Sequence, residues 1–167
     1  MIIPRVFNYR RLFLVITCLV ISFLFFTPDQ SVLAVSYNQQ NLVGSDFSYQ
    51  DLRDVTFDHA NLRGANFSHA KLQGARFFSA NLESANFEEA DLRFADLESA
   101  RLTRVNFTNA VLEGAFVTNT LLNGAIIDGA DFTDVLLRPD TEKKLCQIAQ
   151  GTNPVTGRNT KDTLYCP

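Results

Sequence analysis

Few residues in this chain carry chemistry beyond packing. His59 and His69 are its two histidines, ten residues apart, a pair that would suit a metal if the fold brought both rings together. Glu88, Glu89 and Asp91 form the densest carboxylate run, open at most to a weak divalent-ion contact. Ser48, Ser68, Ser79, Ser84 and Ser99 fall at surface positions of the repeat with no paired base to activate them. Cys146 and Cys166 bracket the turn-rich segment GTNPVTGRNTKDT, and nothing resembles the C-x-x-C of a redox-active pair. Whether any of these groups meet depends on the elements that carry them.

Those elements are set by a period of five. From Leu42 to Leu137 a large apolar residue recurs every fifth position without insertion. The twenty such centres are Leu42, Phe47, Leu52, Phe57, Leu62, Phe67, Leu72, Phe77, Leu82, Phe87, Leu92, Leu97, Leu102, Phe107, Leu112, Val117, Leu122, Ile127, Phe132 and Leu137. Two residues before each centre stands a small side chain, thirteen times Ala, with Gln40 and Gln50 as misfits in the first turns. The residue just before the centre is often Asn or Asp, and the two after it are polar, charged or Gly. Five matches neither the roughly 3.6-residue period of a helix nor the period of two of a strand. A chain that turns a corner after each unit satisfies it: the centre points inward, the small residue sits beside it, and the other three side chains face water. Four sides close a coil of twenty residues, and coils stack roughly 4.8 Å apart through backbone hydrogen bonds, so that five of them span about 24 Å. Each centre then stacks on the one twenty residues later, and Phe columns face each other across the core.

The pattern resembles the pentapeptide-repeat family, whose motif is A-(D/N)-L-x-x. ANLRGANFSHA (residues 60–70) and ANLESANFEEADLRFADLESA (residues 80–100) match it. The resemblance implies an all-β solenoid, a right-handed quadrilateral β-helix of about five coils over residues 40–139. Its handedness comes from the resemblance alone.

The flanks read differently. Arg5, Arg10 and Arg11 precede a largely apolar stretch from Leu12 to Phe26, and Val32, Leu33 and Ala34 offer a cleavage site. Residues 1–34 are expected to be a signal peptide cut after Ala34, with an uncleaved anchor as the alternative. Arg10-Arg11 fits a twin-arginine signal only in part, and the very apolar core favours the general secretory route. Residues 35–39 are expected to be a linker. In an exported chain the even pair Cys146 and Cys166 reads as a disulfide, with two buried free thiols as the alternative. After Pro139, Asp140 or Thr141 is expected to cap a short α-helix, TEKKLCQIAQ, stopped by Gly151, and Asn159 or Thr160 to start another turn. Residues 140–167 then form a helical cap over the open end of the solenoid. The tail LCQIAQGTNPVTGRNTKDTLYC is similar to that of exported pentapeptide-repeat proteins of cyanobacterial and plastid thylakoid lumens.

Charge narrows the functions. Removing residues 1–34 takes away Arg5, Arg10, Arg11 and Asp29 and leaves 12 Lys+Arg against 17 Asp+Glu, a net of −5. There is no basic stripe, so nucleic-acid binding is not expected. Both histidines fall at corners on opposite sides of the coil, which rules out one shared metal. No catalytic residue, metal or cofactor is expected. Three phenylalanines, Phe78, Phe94 and Phe116, lie off the centres, and Val111, Phe116, Leu121 and Ile126 make the pre-centre position apolar late in the chain. Phe94, Phe116 and Leu136 are the candidate partner patch, against the alternative that the tail folds over them. The expected function is a non-enzymatic interaction or scaffold module in a thylakoid lumen or periplasm. Its protein partner is unnamed, and a monomer is favoured. The competing reading is an acidic DNA mimic that binds DNA gyrase, as in family members that protect gyrase from quinolones, and the export signal counts against it.

Overall fold

The computed structural model describes residues 35–167, and the leader assigned to residues 1–34 lies outside them. Parallel bridges pair residues twenty apart, from Ser36 with Thr56 through Asn61 with Asn81 to Val111 with Asp131. Each bridge involves the residue just before a centre. The centre's N–H donates to the carbonyl of the next coil, as in Leu62 to Asn81, 2.8 Å. The N–H of the pre-centre residue donates back, as in Asn81 to Ala60, 2.9 Å. With the turn bonds that close back on each centre, the backbone groups of the small residue, the pre-centre residue and the centre are paired in the central coils, as buried backbone requires.

The corners have one geometry. The residue two after each centre, from Gln39 to Asp134, takes a positive φ, and the next N–H closes back on the centre's carbonyl, as in Ala60 to Phe57, 3.0 Å. That is the signature of a type II turn, which demands a left-handed residue at its third position. Glycine fills this position at Gly44, Gly64, Gly74, Gly114, Gly124 and Gly129. The remaining corners carry other residues at positive φ, the bulky Tyr49, His59, His69, Phe94 and Arg104 among them.

All centres from Phe47 to Phe132 are buried, and the end centres Leu42 and Leu137 are half-buried. The alanines beside them are buried too, since nothing larger fits between two inward rows. Phe47, Phe67 and Phe87 stack with ring centroids 4.9 Å apart, and so do Phe57 and Phe77. Rings from the two columns meet edge to face, as in Phe67 and Phe77 at 5.6 Å. The pre-centre side chains do more than face water. Asn61 donates to Asn41 (3.2 Å) and Asn81 to Asn61 (3.4 Å). A second ladder runs Asn106 to Asn86 to Asn66 to Asp46, at 2.9, 3.3 and 3.1 Å.

The ends depart from expectation. Residues 35–39 are not a linker: Ser36 bridges Thr56, and Tyr37 occupies a centre position, stacked on Phe57 at 5.0 Å. At the other end no bridge joins Phe116 to Leu136 among the described residues, so the ladder stops a side earlier than the sequence period. Helix α1 spans Pro139–Cys146, with Arg138 at its N-cap and no side-chain cap. Neither Asp140 nor Thr141 caps it, because Pro139 already supplies the fixed φ and the missing donor that suit a first turn. It ends at Gln147, short of Gly151. Helix α2 is one turn, Thr160–Thr163, capped by Asn159, whose Oδ1 accepts from the Lys161 N–H at 3.0 Å.

Candidate functional site

The residues that could carry chemistry fall in several columns of the coil, and only His69 and Glu89 among the acidic and histidine candidates come into contact. His59 and His69 both sit at left-handed corners. His69 is not simply solvated: its ring stacks on Tyr49, 4.5 Å between centroids, and its Nδ1 lies 3.2 Å from Glu89 Oε2. His59 meets Phe78 edge to face at 5.7 Å. The acidic run also diverges. Glu89 turns to His69, while Asp91 accepts from Arg93 Nε at 2.8 Å and from Gln73 Nε2 at 2.5 Å. Burial pushes the Asp91 carboxyl up, but the bonds from Arg93 more than offset it, so its pKa lies below the usual 3.8. Among the described residues, no group of three His, Cys, Asp or Glu side chains is placed to hold a metal ion.

The candidate partner patch is brought together only in part. Phe94 and Phe116 share a corner: Phe94 stands two residues before Asp96, which bridges Phe116 in the next coil. The Phe94 ring lies over Gly114, so close that a Cβ there would stand 2.7 Å from it. Phe94 is 63% and Phe116 56% exposed, so the tail does not fold over them. Leu136 is 87% exposed, but lies outside the ladder that would have stacked it on Phe116. Of the late apolar positions, Leu121 and Ile126 are exposed, and Val111 is buried.

What covers the open end of the coil is a set of contacts that the period does not announce. Asn153, fully enclosed, donates from Nδ2 to the carbonyls of Asn109 (3.0 Å), Ala110 (3.2 Å) and Gly129 (2.9 Å). Its Oδ1 accepts from the N–H groups of Val155 and Thr156. Arg158 Nη1 reaches Asp131, Thr133 and Glu113 at 3.2, 3.0 and 3.2 Å. Burial raises the pKa of Asp131, but bonds from Thr133, with help from Thr156 and Arg158, hold it below the usual 3.8. Gly129 N–H donates to the Gln150 carbonyl at 2.8 Å, and Phe132 N–H to Thr163 Oγ1 at 3.1 Å. Leu145, Ala149 and Leu164 close the apolar end. The Cys146 and Cys166 Cα atoms are 5.6 Å apart with the sulfurs at bonding distance. Asn153 and Arg158 escape a sequence reading because their coil partners lie 24 residues away or more, and a lone Asn-Pro reads as a turn.

Known proteins share this pattern. The family model described as "Pentapeptide repeat region" matches residues 31–107, and "Pentapeptide repeats (8 copies)" matches residues 100–138. A solved pentapeptide repeat protein from the thylakoid lumen of Arabidopsis thaliana is 52% identical. That similarity covers 78% of this chain and 90% of the other, with a TM-score of 0.77. Thylakoid lumenal 15 kDa protein 1 and thylakoid lumenal protein TL20.3, both chloroplastic and from Arabidopsis thaliana, are 58% and 45% identical over 40 residues. The matched segment is 24% of this chain in each case, and spans only 18% and 14% of those two proteins. The chain belongs to the pentapeptide repeat family, which folds as a right-handed quadrilateral β-helix.

Proposed function

We propose that this protein is a non-enzymatic interaction or scaffold module, exported to a thylakoid lumen or a periplasm, that displays side chains at fixed spacing on a stiff coil. The observation that carries the reading is the corner shared by Phe94 and Phe116, two large exposed phenylalanine rings on neighbouring coils. Such a patch is retained against the pressure of solubility when something docks on it. The lumenal relatives and the apolar leader support the address. Export, with the leader cut after Ala34, places Cys146 and Cys166 where they persist as a disulfide across the cap.

The test compares the parent with Phe116→Asp by crosslinking in the native compartment followed by mass spectrometry. A stoichiometric partner mapped to the Phe94–Phe116 corner, and lost in the variant, supports the reading. Unchanged capture and unchanged oligomeric state remove that patch. The variant should fold normally, within about 0.5 kcal/mol, because the site is exposed.

A further inference from the structure

The end of the coil contains an unfilled place for one more side. Had the twenty-residue register continued, residues 140–144 would lie on residues 120–124, as those lie on residues 100–104. Instead residues 139–146 form α1. A groove of about 360 Å³ remains, lined on one wall by residues 120–124 and on the other by α1 and Ile148.

The donors and acceptors of that edge are open. One coil down, Leu102 N–H donates to the Leu121 carbonyl (3.0 Å), Arg104 N–H to Asn123 (2.9 Å), and the Ala100 carbonyl accepts from Leu121 N–H (3.4 Å). The equivalent groups of the last coil are Leu122 N–H, Gly124 N–H and the Thr120 carbonyl, and among the described residues none of the three has a partner. On the next two sides the tail supplies acceptors, Gln150 to Gly129 and Thr163 to Phe132. On this side it turns helical and supplies none. The walls add an exposed Leu121 and Ile148 above the buried Leu122 and Leu145. Of the charged residues that line the groove, Arg138 pairs with Asp140 at 3.2 Å, and Lys144 makes no ion pair among the described residues.

We propose that this groove binds an extended segment of another protein as an added strand, with an inward apolar side chain and an acidic neighbour. The backbone pattern selects extended chain: one N–H for Thr120 and two carbonyls for Leu122 and Gly124. The apolar walls select the central side chain, and Lys144 selects the acid. The proposal deepens the interaction-module reading with a second surface, away from the Phe94–Phe116 corner.

The test is titration of the ¹⁵N-labelled full chain with the acetylated, amidated peptide ADLESA, the sequence of residues 95–100. The expected result is saturable, downfield movement of the Leu122 and Gly124 amide protons. Binding should weaken about fivefold in Lys144→Glu and vanish when the peptide's Leu is replaced by Asp. No movement at these amides up to millimolar peptide, or movement elsewhere alone, overturns the proposal. Movement of the same amides with protein concentration, without peptide, overturns it in favour of a second copy as occupant. A null here leaves the Phe116→Asp capture experiment standing, so the two readings fail separately.

Discussion

Between Leu52 and Leu112 each coil is held by the same bonds as its neighbours, whereas the cap from Pro139 to Pro167 is held by contacts that occur once. In the coils, almost every side contributes an inward Leu or Phe, a buried Ala or Val beside it and paired backbone groups. Losing one side chain leaves the ladder above and below intact, because each coil touches only its neighbours. In the cap, Asn153 alone satisfies the Asn109 and Gly129 carbonyls, and Arg158 alone spans Asp131, Thr133 and Glu113. Repetition gives the coils a stability spread along their length. The cap gains a unique position by concentrating it in a few residues.

The contrast can be broken or sharpened in four ways. Phe67→Ala removes a fully buried ring that stacks on Phe47 and Phe87 and should cost about 3–5 kcal/mol, read as a lowered denaturation midpoint. If that loss stays under a kilocalorie, the central coils do not rest on their Phe columns. Replacing Cys146 and Cys166 by Ser should cost about 3 kcal/mol in the chain-entropy picture. Hydrogen exchange should quicken across residues 147–165 and stay slow at Phe77 and Leu82. Uniform quickening would mean that cap and coils unfold as one unit.

Asn153→Ala should cost about 1–3 kcal/mol, since it strips the donor from the Asn109 and Gly129 carbonyls at a buried junction. Its effect should appear first as faster exchange at Val155 and Thr156, whose N–H groups it also accepts. The smallest effect concerns acid. The Asp131 pKa is held below 3.8 in the fold, so its contribution is complete above that value and is lost as pH falls through the depressed folded pKa. Cap protection should therefore fade below about pH 4, while Asp131→Asn should lack that acid-dependent step. An identical acid profile in both proteins would assign the loss to other carboxylates.

Much of the coil was readable because its information is local. The inward positions from Phe47 to Phe132 follow directly from the period, and so do the corners that carry His59 and His69. The pairing of His69 with Glu89 and Tyr49 was not, since all three share a column only after the coil closes at twenty residues. Likewise Phe94 and Phe116 are recognisable as misplaced apolar residues in one dimension. Their common corner, and the absence of Leu136 from the stack, are properties of the register and of where it stops.

By itself, then, the sequence determined the repeating unit. A large apolar residue every five positions with a small one two before it admits little other than a cornered coil, because each unit must bury one side chain and turn. Only the tertiary structure decided the ends. Tyr37 joins the first coil because a stacking partner, Phe57, waits twenty residues on. Residues 139–146 leave the ladder for a helix, although the apolar period reaches Leu137. Pro139 brings no N–H to a ladder, and the open core is better covered by Leu145, Ala149 and Leu164 arriving from a folded tail. Those choices balance contacts across tens of residues, which no local pattern encodes.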